Sequence, residues 1–346
     1  MKKLLALAGI LLAFGMGSAF AKKASDENKV KVVTTIFPEY DWVKEIVGEK
    51  AAEVELTLLL NNGVDLHSYQ PSVKDIAKIQ EADIFVYVGG ESDEWVEDVL
   101  KNVKSPNQKV INLLEVLGDR VKAEEVVEGM EHDHDDDEHG HDDHDGDHHD
   151  EHGHDEHDEH HHDHEEEEEL DEHVWLSIKN AQILTNAIAE ALCQADSKNA
   201  QVYKKNLASY NAKLSDLDSK YEAAVKAAGK NTLLFGDRFP FRYMVDDYGL
   251  KYYAAFSGCS AESEASFKTI VFLSEKVNEL GLNSVCQIES GNGKIAKTVI
   301  SNSKNKKAKV LVFDSLQSTT AKQIKKGATY LGAMEKNLEV LKEALR

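Results

Sequence analysis

Runs of β-branched and aliphatic residues alternate with helically spaced apolar positions along most of the chain. Residues 30–36 (VKVVTTI) read as a first strand, and Pro38 opens a helical segment to Val47. Residues 52–60 (AEVELTLLL) are a second strand, followed from Pro71-Ser72 by a helix to Gln80. Residues 82–90 (ADIFVYVGG) are a third, apolar throughout and ended by glycines; a helix around Trp95 and a fourth strand over 108–116 follow. Strands that are apolar on both faces and separated by helices belong to a parallel sheet covered on both sides. The second half repeats the pattern, with strands NTLLFGD, LKYYAAF, LNSVCQIES and AKVLVFDS. Helices are predicted near 241–247, 266–280 and 293–302, and an amphipathic helix over 327–345 closes the chain.

Between the halves, residues 177–228 contain no proline or glycine. Helical spacing runs through Ile178, Ile183, Leu184, Ile188 and Leu192 and breaks near Asp196-Ser197. It resumes through Tyr203, Leu207, Tyr210, Leu214, Leu217 and Tyr221. About 30 residues at 1.5 Å each make a helix roughly 45 Å long, enough to span two domains. The predicted fold is α/β: two (β/α) lobes, each with a parallel sheet, over 22–176 and 229–346, joined by a long rigid helix in 177–228. Such a link implies a small rotation between lobes, unlike the extended crossings that let a binding protein close like a hinge.

The first 21 residues place two lysines before an apolar run and end in Ala19-Phe20-Ala21, the pattern of a secretory signal peptide cut before Lys22. The run is shorter than the roughly 20 residues that span a bilayer. No cysteine follows it, which argues against a lipid anchor, and no later segment is apolar enough to cross a membrane. The mature chain is therefore expected in the periplasm.

Charge is concentrated in one place. The formal net charge is −23, but residues 131–169 hold 22 acidic residues, three glycines and no lysine or arginine, so the remainder sums to −1. A nearly neutral folded part suggests neither nucleic acid nor an anionic membrane as partner. The same insert holds fourteen of the sixteen histidines: His132, His134, His139, His141, His144, His148, His149, His152, His154, His157, His160, His161, His162 and His164. Its composition cannot bury a core and predicts disorder without metal. Imidazole and carboxylate together bind first-row divalent metals. Cys193, Cys259 and Cys286 are odd in number, so at most one pair can bridge; a Cys259–Cys286 disulfide and small buried thiols are the two alternatives.

The two histidines outside the insert lie at strand-to-helix edges, where open parallel sheets bind ligands. His67 sits in NNGVDLHSYQPS after the second strand, and His173 in LDEHVWLS before the long helix. Asp237, Glu289 and Asp314 end three strands of the second half, so histidines from one lobe could face a carboxylate from the other. A mixed nitrogen and oxygen set suits zinc and tolerates manganese or iron.

The segments GVDLHSYQPS, DEHVWLS, FDSL and YLGAMEKNLEVLKEAL resemble the metal-binding components of bacterial ABC importers for zinc and manganese. These are the cluster 9 or A-I solute-binding proteins, and the likeness is strongest to the ZnuA-type zinc-uptake members, many of which carry a His-rich loop here. The resemblance implies a metal site between the lobes, with His67 and His173 as two ligands and Asp314 as the acidic one. It also implies a third histidine, or a glutamate in manganese members, after the first strand of the second lobe. This chain has Gly236 there, beside Asp237, so Asp237, Glu289 or water is left to fill the place, and Arg238 is free to pair with an acidic neighbour.

The function expected is capture of Zn²⁺, as transported ligand, by a monomer that delivers it to an inner-membrane permease and its ATPase. Mn²⁺ or iron(II) import by the same mechanism, and a metal store independent of a transporter, are the alternatives. The chain has no G-x-x-x-x-G-K-[ST] loop of its own. It also lacks H-E-x-x-H, and two histidines outside the insert are too few for most catalytic zinc sites, so no enzymatic activity is expected.

Overall fold

The computed structural model describes residues 29–130, 169–260 and 264–346. The expected signal peptide and residues 131–168 of the histidine-rich insert lie outside the described residues.

The first lobe alternates strand and helix as the hydrophobic pattern requires. Strand β1 (Val30–Thr34) leads into helix α1 (Phe37–Val47), and β2 (Val54–Leu58) into α2 (Val73–Glu81). Strand β3 (Ile84–Tyr87) is followed by α3 (Trp95–Leu100), and β4 (Lys109–Asn112) by α4 (Leu113–Leu117). Pro38 lies in the first turn of α1, where its missing N–H costs nothing. Ser72 and Asp75 close a reciprocal capping box that starts α2. The four strands pair in parallel in the order β2-β1-β3-β4, and β3, inside the sheet, is buried along its whole length. The fourth strand stops at Asn112, four residues short of the predicted end. There the Asn112 side chain accepts the Glu115 backbone N–H and caps α4.

Helix α5 (Ile178–Ala195) and helix α6 (Ala200–Ala227) follow. The break expected near Asp196-Ser197 is a tight turn after which α6 packs against α5. Asp196 holds that turn, its Oδ2 accepting from Tyr203 Oη and Asn199 Nδ2, both at 2.6 Å. At 28 residues α6 is about 42 Å long. Asn206 on α6 donates to Ile46 O in α1, and Tyr221, further along it, to Met334 O in the second lobe. One helix is thus pinned to both lobes.

The second lobe runs β5 (Thr232–Arg238), α7 (Arg242–Tyr248), β6 (Lys251–Phe256), α8 (Phe267–Glu279), β7 (Ser284–Ile288), α9 (Lys294–Asn302) and β8 (Lys309–Phe313). A short helix α10 (Ala321–Lys325), capped by Thr320 and Gln323 and not foreseen from the sequence, precedes α11 (Tyr330–Ala344). The sheet is again parallel, in the order β6-β5-β7-β8, which repeats the order of the first.

Parallel strands deliver all their carboxyl ends to one edge, and the two edges meet. Ala321 N donates to Asn61 O at 2.7 Å beside an isolated Asn62–Thr320 bridge, and Trp175 Nε1 donates to Ser315 O at 2.9 Å. A single cluster of buried side chains runs from Val32 in the first lobe to Leu345 in the second. Among the described residues no helix is long and apolar enough to cross a membrane.

Leu214 is fully buried on α6, where the helix bridges the lobes. Leu214→Ala is expected to cost about 2–5 kcal/mol and to shift the urea midpoint of both lobes together, in one transition, because their core is continuous.

Candidate metal centre

His67 sits on a short 3-10 turn, Leu66–Ser68, just beyond β2, where Asp65 caps the turn by accepting the His67 N–H at 3.2 Å. The other oxygen of Asp65 takes Arg238 Nη2 at 2.7 Å, so this loop is tied to the second lobe. Arg238 does pair with an acidic neighbour. His67 Nδ1 lies 2.8 Å from Ser92 Oγ and 3.4 Å from Glu172 Oε2. His173, wholly buried, has its backbone N and its Nδ1 each 2.9 Å from Asp171 Oδ1.

These contacts decide the protonation pattern. A carboxylate only accepts, so Asp171 draws the ring proton of His173 to Nδ1, and Glu172 with Ser92 does the same for His67. Both Nε2 atoms are left with lone pairs, and they converge to 3.1 Å. Gln317, from the loop after β8, points its amide nitrogen at both, 2.7 Å from His173 Nε2 and 3.3 Å from His67 Nε2. A tetrahedral zinc bonded to nitrogens at about 2.05 Å holds them about 3.3 Å apart, close to the spacing seen. Carboxylates behind ligating histidines are the usual means of fixing tautomer and ring orientation.

A cysteine lies beside the pair. The ligand atoms of His67, His173 and Cys259 lie within 4.8 Å of one another, the only such group of His, Cys, Asp or Glu found among the described residues. Cys259 follows β6, and its backbone N–H donates to Glu124 Oε1 at 2.9 Å. Gly258 makes the approach possible: a Cβ there would stand 3.0 Å from His173 Cε1 and 3.1 Å from Phe239 O. His67, Cys259, Ser92, Glu172, Glu169 and Leu170 line a cavity of about 260 Å³. Glu169 and Leu170, which follow the undescribed residues of the insert, thus lie at this cavity, and Leu170 pairs with Ala123 in an isolated bridge.

The surroundings are strongly anionic. Burial pushes Asp65 and Glu172 upward, but Arg238 and His67 around the first, and His67 and Ser92 around the second, hold both carboxyls below the usual range. Asp93 behaves oppositely. Burial, with the charge of Glu172 added, raises it to about 7 against the pull of the Gly89 and Val88 N–H groups. Burial, followed by Asp93, raises Glu39 as well. Burial and then Glu124, Glu172 and Asp171 push the Cys259 thiol up.

The carboxylates expected from the second lobe stand elsewhere. Asp314 Oδ1 accepts the Leu316 N–H at 2.9 Å and shares a separate cavity with Phe37 and Thr319. Asp237 accepts from Arg238 N and Ile288 N, and Glu289 is engaged by Ser315 N, Ser315 Oγ and Ser318 Oγ. The structure brings His67 and His173 together and leaves these three apart from them. All three cysteines are free, so no disulfide joins Cys259 to Cys286, which is buried in β7. Cys259 and Gln317 carried no sequence signal of their own. Asp171 and Glu172 did, as the D-E immediately before His173.

Gly236 is buried in β5, and a Cβ there would lie 2.6 Å from Ala296 Cα and 2.7 Å from Ala296 N on α9. No side chain fits.

The family described as zinc-uptake complex component A, periplasmic, matches residues 32–344. The zinc-binding protein AdcA of Streptococcus pyogenes is 34% identical over 341 residues, 99% of this chain and 61% of that protein, so the chain spans only part of the AdcA length. The high-affinity zinc uptake system protein ZnuA of Bacillus subtilis is 31% identical over 337 residues, 97% of this chain and 94% of the relative. The Zn(II)-bound ZnuA-like domain of Streptococcus pneumoniae AdcA superposes with a TM-score of 0.66 at 27% identity, covering 92% of this chain and 99% of that one. For the metal-dependent lipoprotein YcdH from Bacillus subtilis the values are 0.69, 28%, 92% and 100%.

Gly236→His is expected to lower the thermal midpoint sharply and to add no zinc affinity, which differential scanning calorimetry with and without zinc reads directly. Asp93 gives a pH signature. Folded, it keeps a proton up to about pH 7 that the unfolded chain gives up from about pH 4, so the metal-free protein loses stability as pH rises through that window. In Asp93→Asn the fall of the urea midpoint between those values is expected to be shallower.

Proposed function

Since the chain belongs to the family of zinc-uptake complex component A, we propose that it captures Zn²⁺ outside the cytoplasmic membrane and hands it to a permease driven by a cytoplasmic ATPase. The observation that carries this reading is the pair of Nε2 lone pairs held 3.1 Å apart at the junction of the lobes. His67 and His173 bind as neutral imidazoles. Asp171 and Glu172 hold the rings and offset the charge of the cation.

Binding displaces the Gln317 amide from the two nitrogens, which exchanges one contact between lobes for metal bonds. Release follows when a docked permease draws the lobe edges apart, by a small motion because α6 and the shared core resist a large one. Acidification opposes capture, since a proton on Nε2 competes with the metal. A single chain supplies the histidine pair, which suits a monomeric carrier in the periplasm. The fourteen histidines of the insert, which is followed by the cavity-lining Glu169 and Leu170, then act as a weaker collector of the same ion. Asp314, Asp237 and Glu289 remain candidate ligands only for a state in which the second-lobe loops have moved.

Competition with a chromophoric chelator tests the division of labour. A variant lacking residues 131–168 is expected to keep one tight zinc site that manganese fills poorly. The His67→Ala, His173→Ala double variant is expected to keep only several weak sites. Loss of tight binding from both variants would place ligands in the insert and overturn the reading.

A further inference from the structure

We infer that Cys259 is a metal ligand, its thiolate completing a set of two imidazoles and one sulfur with His67 and His173. This rests on the reading that the histidine pair binds the transported ion.

The geometry points to sulfur because no other anionic group comes near both histidines: Asp65 Oδ1, 3.9 Å from His67 Nε2, already accepts the His67 N–H, and its other oxygen is paired with Arg238. Among the described residues Cys259 alone joins the two histidines within 4.8 Å, while Asp237, Glu289 and Asp314 are engaged with backbone and hydroxyl partners elsewhere. The loop is built for the approach. Gly258 lets the chain pass against the His173 ring, where any Cβ would crowd Cε1 and Nδ1, and Glu124 fixes the Cys259 backbone N–H. Zinc bonds sulfur at about 2.3 Å and nitrogen at about 2.05 Å, which sets sulfur and nitrogen about 3.6 Å apart at tetrahedral angles. From separations of up to 4.8 Å, reaching that spacing takes a closure of at most about 1.2 Å.

The other two thiols are differently placed. Cys286 lies inside β7, and Cys193 Sγ faces Ala200 O at 3.6 Å at the turn between α5 and α6. Binding at Cys259 exchanges the S–H proton for the metal: the S–H bond breaks, the sulfur electron pair forms the S–metal bond, and one proton leaves to solvent. No oxidant or reductant is involved. The fourth position is left to water once the Gln317 amide has been displaced. A thiolate also explains how this chain can favour zinc over manganese without a third histidine, since sulfur is a soft ligand that suits zinc and disfavours manganese.

Cobalt(II) reports the ligand, because a thiolate bonded to it gives an intense near-ultraviolet charge-transfer band that imidazole and carboxylate do not. The insert contains no cysteine, so its histidines cannot contribute to the band in the full chain. The band is expected on adding cobalt to the wild-type protein, to bleach on adding zinc, to persist in Cys193→Ser and to vanish in Cys259→Ser. Zinc affinity of Cys259→Ser is expected to fall by at least about 10–100-fold, the loss that follows removal of a mere hydrogen-bond partner of a ligand. Cobalt bound through the histidines, with visible bands lost in His173→Ala but no charge-transfer band, would overturn the thiolate ligand and leave the histidine reading intact. A full-strength band in the His67→Ala, His173→Ala double variant would place the sulfur site elsewhere and overturn the three-residue set.

Discussion

Two acceptor nitrogens do not approach to 3.1 Å unless a donor or a cation lies between them, and the rest of this site is arranged to sustain that approach. His67 and His173 are 106 positions apart in the chain. Each is held from behind by a carboxylate or hydroxyl that takes its Nδ1 proton, so neither ring can turn away without losing a buried hydrogen bond. The Gln317 amide nitrogen stands against both Nε2 atoms, closer to that of His173, as a donor would stand against two lone pairs.

The frame that carries these loops is stiff for reasons visible throughout its length. Two sheets of the same strand order present their carboxyl edges to each other, and the larger of two clusters of buried side chains crosses the junction, the smaller lying within the second lobe. The Asp65–Arg238 pair, the Trp175 to Ser315 bond and the bond from Tyr330 Oη to Trp175 O all cross it. Trp175 is two residues from His173 and packs against its ring, so the side chain that locks the lobes also anchors one of the two histidines. Small displacements at this seam suffice to change metal bonding, because metal–ligand bonds tolerate deviations of only about 0.2 Å.

Much of this was legible in the residues. Continuous β-branched and apolar runs located eight strands, and a period of 3.6 the helix that bridges the lobes, because strands buried on both faces of a parallel sheet are apolar along their length. Two histidines at strand edges stood out because the others were confined to the insert. What the sequence did not reveal depends on the paths of loops. Asp314 was expected at the metal, yet its carboxylate turns back to cap Leu316, and Gln317, three residues on, occupies the junction instead. Cys259 has no periodic or motif signature; only the passage of Gly258 against the His173 ring brings it into range. Single capping bonds, as at Asn112, also shift element ends in ways that hydrophobicity does not encode.

The contact of Gly236 with Ala296 has a bearing on how such a site can change over time. The obstacle to a side chain at 236 is backbone, the N and Cα of Ala296, so trimming residue 296 to glycine would not remove it. A nitrogen ligand at this position is therefore out of reach of any single codon change. A lineage that needed one would first have to shift helix α9 against its sheet, through intermediates with a loosened core. A substitution on the neighbouring strand's loop needs no such detour. Ligand replacement in this architecture is accordingly expected to migrate between loops more readily than to reverse in place.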